Sequence, residues 1–279
     1  MFSTGMEKIF VLVFLLCCGL LPAQAADYVY KRDVPYRAEA PDAYADLMCR
    51  LDVAYPGGCA GAPVLVWFHG GGLTGGSREI PGELLNGNLV VVGVEYRLSP
   101  RVETTGIIDD AAAAVAWTVG HIGAYGGDPS SVYIAGHSAG GYLVDMVGLD
   151  KSWLRKYGVD ADTLAGIIPL SGQVITHFET RRSQGIGPLQ PTVDRTAPLF
   201  HVRKDCPPML IVSGDREKEL YGRYEETAYF WRLLKLVGHP DVTFYELGGF
   251  DHGSMARAAF PLVLDFIRRL QQQKQRQKE

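Results

Sequence analysis

The residues best suited to chemistry stand at Gly136-His137-Ser138-Ala139-Gly140, a G-x-S-x-G pattern that follows the apolar run Val132–Ala135 and leads into a helix-like segment. A serine on such a strand-to-helix turn presents its hydroxyl to a cleft. The next backbone N–H lies at a helix N-terminus, which favours negative charge. Glycines two positions to either side let other backbone approach where a Cβ would clash. The chemistry this suits is nucleophilic attack by Ser138, with Ala139 N–H placed to meet the charge that develops. The pattern is short and arises easily by chance in a chain with 33 glycines. The strand before it and the helix after it give it weight.

A second group is His69-Gly70-Gly71-Gly72, directly after the apolar run Val64–Phe68. A loop without side chains can offer backbone N–H groups to an oxyanion, so Gly70 and Gly71 are the expected donors, with Ala139 completing the set. His69 is expected to hold that loop by hydrogen bonding rather than to act as a base. A serine nucleophile needs a base, and the base needs an acid to orient it. Among the seven histidines, His252 in Gly249-Phe250-Asp251-His252-Gly253 follows the last strand candidate and is the expected base. His239 precedes that strand and reads as structural. His121, His177 and His201 precede the acid loop, and of these His177 is kept as a candidate pocket wall. The acid is expected after the strand Met209–Val212, within Ser213-Gly214-Asp215-Arg216-Glu217. Asp215 is the commoner residue type, whereas Glu217 lies deeper in the loop. Either carboxylate reaches an imidazole from there, leaving the other to pair with Arg216.

The same glycines make a decoy. Gly70-x-Gly72-x-x-Gly75 matches a dinucleotide-binding fingerprint, with Glu95 at nearly the distance a ribose-binding acid needs. That fingerprint must open a helix, and Ser77–Gly87 carries Pro81, Gly82 and Gly87, a poor helix sequence. No nucleotide cofactor is expected. Neither C-x-x-C nor H-E-x-x-H occurs, so no metal is expected either.

These groups need a scaffold of strands and helices. Strand candidates are Tyr28–Val34, Met48–Ala54, Val64–His69, Val90–Tyr96, Val132–Gly136, Ile167–Leu170, Met209–Val212 and Val242–Leu247. The middle ones are almost continuously apolar, as strands covered on both faces are. Between them lie helix-like segments at Asp109–Val119, Ala139–Leu149, Leu220–Val237 and Ala256–Leu270. This alternation predicts an α/β domain with a mostly parallel sheet, entered by an antiparallel N-terminal pair. One domain over 26–270 is expected, with 271–279 a polar tail that frays from the last helix.

The chain has 279 residues, 47% hydrophobic and 21% charged, which is globular composition. Its 27 Lys+Arg against 31 Asp+Glu give a net charge of −4. With no basic run interleaved with aromatics, nucleic acid is not an expected partner. Ile9–Leu21 is a short apolar stretch followed by Pro22-Ala23-Gln24-Ala25, so residues 1–25 read as a secretory signal peptide, too short to span a bilayer. Export to a periplasm or out of the cell follows as an expectation, without a membrane association once the leader is removed. Cys49, Cys59 and Cys206 then remain, and a Cys49–Cys59 disulfide is an open possibility in an oxidising compartment.

Taken together, "WFHGGG" (Trp67–Gly72), "VEYRLSP" (Val94–Pro100), "DDAAAAVAW" (Asp109–Trp117), "YGGDPSSVYIAGHSAGGYL" (Tyr125–Leu143) and "GFDHG" (Gly249–Gly253) resemble the α/β-hydrolase superfamily. The likeness is to small bacterial carboxylesterases near the hormone-sensitive-lipase and feruloyl/acetyl-xylan-esterase groups, and it covers most of the mature chain. It implies an α/β-hydrolase fold of about eight strands and the order Ser, acid, His. In such relatives the acid commonly sits three residues after the small residue that ends the strand. That favours Glu217 over Asp215, although most relatives carry Asp there. The implied activity is hydrolysis of short-chain or carbohydrate-linked acyl esters through a covalent acyl-enzyme. Residues 172–204 form the one substantial late insertion, too short for a large cap, and Gln173, His177 and Phe178 are its candidates to line a pocket. The same constellation would serve a kynurenine-formamidase-like amidase, and the fold also occurs as a non-catalytic binding module.

Overall fold

The structure, a computed structural model, describes residues 27–85, 88–277 and 279. The apolar stretch Ile9–Leu21, expected to belong to a leader, therefore lies outside the described residues. Among those described, no helix is long and apolar enough to cross a membrane.

Eight strands form a single sheet: β1 (Tyr28–Pro35), β2 (Arg50–Pro56), β3 (Ala62–Phe68), β4 (Val90–Val94), β5 (Gly127–His137), β6 (Gly166–Leu170), β7 (Met209–Gly214) and β8 (Val242–Leu247). Their order across the sheet is β1-β2-β4-β3-β5-β6-β7-β8. The β1–β2 and β2–β4 pairs are antiparallel and every later pair is parallel, which is the expected antiparallel entry to a mostly parallel sheet. The continuously apolar strands β4, β6 and β7 are buried along their whole length, whereas the edge strand β8 is largely half-buried.

Side chains alternate across the sheet and build a core on each face. From β3, Val64, Val66 and Phe68 join Ile107, Ala111, Leu143 and Phe230 on one side. Leu65 and Trp67 point the other way, into Phe260, Val263 and Phe266. The first core packs α2 (Thr104–His121), α3 (Ala139–Leu149) and α6 (Arg223–Leu236) against the sheet, and the second packs α7 (Met255–Arg276).

The sequence places all four long helices, and their ends differ from expectation for local reasons. Helix α2 starts at Thr104, five residues before the Ala-rich run, because Ile107 and Ile108 extend its buried face past Gly106. Helix α7 runs into the expected tail, where Gln271 Nε2 donates to Tyr133 Oη at 2.8 Å and Lys274 Nζ reaches Asp128, Ser130 and Ser131. The short helices α1 (Ala43–Met48), α4 (Lys151–Arg155) and α5 (Phe178–Ser183) carry no readable period, and side chains of Asp42, Asp150 and His177 cap their starts. Helix α1 also moves the start of β2 from the expected Met48 to Arg50.

The disulfide possibility closes here. Cys49 and Cys59 flank the seven-residue strand β2, which at ~3.3 Å per residue sets them far beyond bridging distance. Both are free, as is buried Cys206.

Candidate active site

The site assembles at the C-terminal ends of β3, β5, β6, β7 and β8. Strand β5 ends at His137, and Ser138 follows with φ 56° and ψ −114°, a strained turn into α3. The flanking glycines are sterically required. A Cβ on Gly136 would lie 2.4 Å from the Gly140 carbonyl carbon, and one on Gly140 would lie 2.1 Å from the Phe68 carbonyl oxygen. Ser138 N–H donates to Leu170 O at 2.9 Å, which fixes the turn to the end of β6.

Ser138 Oγ lies 2.8 Å from Nε2 of His252, which arrives from the loop between β8 and α7. On the other side of the ring, Nδ1 lies 2.8 Å from Glu219 Oε2. A carboxylate can only accept there, so Nδ1 carries the proton and Nε2 is left to accept from the serine hydroxyl.

The carboxylate beside His252 is thus Glu219, and the expectation of Glu217 or Asp215 is corrected. The loop after β7 opens with a helical turn, in which the N–H groups of Lys218 and Glu219 donate to Asp215 O at 2.8 and 2.9 Å. In such a turn Glu217 points away from the face shared by residues 215 and 219. Glu217 is exposed. Asp215 braces the loops instead, accepting from the N–H of Glu217 at 2.9 Å and of Gly249 at 2.6 Å. Arg216 pairs with Glu246, not with either expected acid. The legible signal was Asp215 as a turn-capping residue, which sends the residue four positions on, rather than two, toward the site.

Glu219 is well provided for. Its side chain is 1% exposed. Oε1 accepts from Ser171 Oγ at 2.7 Å and from Gly214 N–H at 2.9 Å, and Oε2 accepts from Leu220 N–H at 3.1 Å. Burial by itself would raise its pKa, but the hydrogen bonds from His252, Ser171 and Gly214 prevail and hold it at about 2. Ser171 Oγ also faces His252 Nδ1 at 3.0 Å, and Arg223, buried beneath, donates to Ser171 O and to Glu226. Sequence reasoning missed Ser171, because a serine after an apolar strand carries no distinguishing pattern.

The glycine loop lies beside the nucleophile. A Cβ on Gly70 would come within 3.4 Å of Ser138 Cβ. Gly71 O accepts from the N–H groups of Thr74 and Gly75, closing the loop into a compact turn. His69 holds it: Nε2 lies 3.0 Å from Glu95 Oε1, Nδ1 lies 2.7 Å from Gly70 O, and the ring stacks on Tyr96. Glu95 also accepts from Arg78 N–H at 3.0 Å, so it is committed to this loop rather than offered to a ribose. Ser77–Leu85 contains only a 3-10 turn at Gly82–Leu84, which removes the helix a dinucleotide fingerprint requires. Ala139 is the first residue of α3 and is fully buried.

Of the insertion residues, Phe178 packs over the glycine loop, its ring 2.9 Å from where a Cβ on Gly72 would stand. Gln173 and His177 shape that wall: Gln173 Oε1 accepts from Phe178 N–H at 2.8 Å, and His177 Nδ1 accepts from Glu179 N–H at 3.2 Å. Burial lowers the His177 pKa well below the usual imidazole value. His239 accounts for itself structurally, facing the carbonyls of Cys206 and Pro207. A cavity of about 610 Å³ between Arg37, Trp117 and Tyr157 has none of the site residues on its walls.

A family model described as alpha/beta hydrolase fold matches residues 65–256, well over half the chain. Esterase LipC of Mycobacterium tuberculosis is 28% identical over 261 residues, covering 85% of this chain and 62% of that protein. The probable carboxylic ester hydrolase LipM of the same organism is 28% identical over 266 residues, covering 85% and 60%. The chain thus spans about six-tenths of the length of these curated relatives. Among solved structures, a truncated form of carbohydrate esterase from gut microbiota superposes with a TM-score of 0.72 at 18% identity, over 88% of this chain and 97% of that one. At that identity the likeness speaks for the fold.

Proposed function

The chain belongs to the alpha/beta hydrolase fold family, and from that premise we propose that it is a serine carboxylesterase acting through a Ser138–His252–Glu219 triad and a covalent acyl-enzyme. The observation that carries the reading is the unbroken run of hydrogen bonds from Ser138 through His252 to Glu219, with the glycine loop alongside. Similarity to proteins named as esterases supports it.

In this mechanism His252 Nε2 takes the Ser138 proton as Oγ bonds to the ester carbonyl carbon. The carbonyl oxygen gains the negative charge and settles against the N–H groups of Gly70, Gly71 and Ala139. Loss of one such donor costs about 2.7–4 kcal/mol of barrier. The imidazolium, steadied by ionised Glu219, returns its proton to the leaving alcohol oxygen as that C–O bond breaks. Water then repeats the sequence on the acyl-enzyme, freeing the carboxylic acid and Ser138.

The substrates proposed are short-chain or carbohydrate-linked acyl esters. In support, the insertion over 172–204 holds just one six-residue helix and a 3-10 turn, and builds no large cap. We also propose that the protein is exported to a periplasm or the medium, on the strength of the leader-like residues 1–25. Amino-terminal sequencing of material expressed with its leader should begin at Ala26, and an intact Met1 would count against export.

The test of the activity is hydrolysis of p-nitrophenyl esters from acetate to octanoate by wild type and Ser138→Ala. Turnover that is highest at short chains and disappears in the variant is expected. A folded wild type that neither turns over nor reacts with a serine-directed phosphonate would overturn the reading. Such a result would bring forward a non-catalytic binding module.

A further inference from the structure

His137, the variable position of the G-x-S-x-G pattern, has no part in the mechanism above, yet its ring lies between the His252 loop and the glycine loop. Its Nε2 lies 2.7 Å from the carbonyl oxygen of His252. Its Nδ1 faces the glycine loop, 3.3 Å from where a Cβ on Gly70 would stand. Its ring lies 4.8 Å from that of His252, tilted by 41°. A carbonyl oxygen only accepts, so Nε2 carries a proton and, in the neutral ring, Nδ1 is the bare nitrogen.

The bond matters because of how the His252 loop is otherwise held. Phe250 O accepts from Asp215 N–H, Gly249 N–H donates to Asp215, and Met255 N–H donates to Asp251 O. These tie the loop to the acid loop and to α7. Among the described residues, two hydrogen bonds tie it to the nucleophile turn: His252 Nε2 with Ser138 Oγ, and His137 Nε2 with His252 O. The first is consumed in each proton transfer, so only the second can persist through the cycle.

We infer that His137 is a positioning residue, an imidazole clamp that holds the backbone of the His252 loop against the nucleophile turn while the Ser138–His252 hydrogen bond is broken and re-formed. The inference rests on the proposed triad. The ring's surroundings agree with a neutral clamp: burial, foremost, and then the nearby His252 lower its pKa to about 4, with Glu219 raising it and Arg223 lowering it. A cationic ring there would oppose formation of the His252 imidazolium, which a neutral ring avoids.

The test compares His137→Gln with His137→Asn. The Gln amide nitrogen reaches about as far as Nε2 and can still donate to His252 O. The Asn amide stops near the position of Nδ1 and cannot. Two readouts are needed, kcat and KM on p-nitrophenyl acetate, and amide hydrogen exchange of residues 250–255, which reports the clamp whether or not the protein turns over ester. In Asn, kcat should fall about 10- to 100-fold, as expected of a displaced base, with KM within about twofold. Exchange at 250–255 should quicken in the same variant. Gln should restore both. If Asn does not fold, His137→Leu takes its place. Unchanged kcat and exchange in the variant lacking the donor would overturn the clamp, as would equal losses in Gln and Asn at equal thermal midpoints. Wild type without turnover, but with exchange that still separates Gln from Asn, would sink the esterase reading and leave the clamp.

Discussion

Glu219 and Asp145 are both carboxylates withdrawn from water, one in the loop after β7 and the other in the middle of α3, seven residues beyond Ser138. Glu219 has a side chain 1% exposed and Asp145 is 0% exposed. Glu219 takes hydrogen bonds from an imidazole, a hydroxyl and two backbone N–H groups, and is held at about 2. Neither oxygen of Asp145 has a partner among the described residues, and burial raises its pKa well above the usual range. Partners thus hold one carboxylate well below its ordinary pKa, while burial without partners pushes the other well above it. The helix explains why, since its N–H groups are already spent on carbonyls four residues back, whereas a loop has free N–H groups to turn inward. In α2, by contrast, buried Asp110 is met by the guanidinium groups of Arg37 and Arg97, so a helix acid has donors only where other side chains bring them.

The sharpest way to break the comparison is to remove the charge from the loop acid alone. Glu219→Gln keeps the shape but lets His252 adopt the wrong tautomer, so kcat should fall by about 10³- to 10⁴-fold. Glu217→Gln, on an exposed side chain, should leave kcat within about twofold. Steady-state assays of the two proteins decide the identity of the acid. The reverse ranking would return the role to Glu217.

A smaller cut sharpens it. Ser171→Ala removes one donor from Glu219 and leaves the carboxylate in place. A hydrogen bond to a charged group contributes about 1.5–3 kcal/mol, so the Glu219 pKa should rise by about 1–2 units. Its folded value lies near 2, below the ordinary 4.5, so its stabilising effect is complete above pH 4.5 and is lost as the pH falls through 2. In Ser171→Ala that loss begins at higher pH, visible as an earlier acid-unfolding midpoint. The kcat at neutral pH should fall roughly tenfold, because the acid is less firmly held. An unchanged acid midpoint would mean that His252 and the backbone N–H groups keep Glu219 ionised without Ser171.

The same contrast explains what was legible in the sequence. All eight strands and the turn at Ser138 were readable because apolar and β-branched runs and required glycines act locally. His252 was found from its place after the last strand. Glu219 escaped because counting along a loop does not show which way a side chain faces. The loop carries carboxylates at 215, 217 and 219, and the helical turn begun by Asp215 decides among them. His137 and Ser171 were hidden for a related reason, since each acts through partners 48 to 115 residues distant in the chain. No local period encodes such a contact.

The gentlest perturbation addresses the helix acid. Burial raises the Asp145 pKa well above the 3.8 of the unfolded group, so between those two values the folded state binds more protons than the unfolded state. By linkage its contribution to stability falls as the pH rises, by about 1.4 kcal/mol per pH unit until the folded group itself ionises. Asp145→Asn has no proton to lose, so urea unfolding at pH 4, 5 and 6 should show the variant gaining on wild type at each step. Activity should stay within about twofold, because Asp145 makes no hydrogen bond to any site residue. If the two stability curves instead run parallel, Asp145 is ionised in the fold. A donor must then reach Asp145 in α3, as the guanidinium groups of Arg37 and Arg97 reach buried Asp110 in α2.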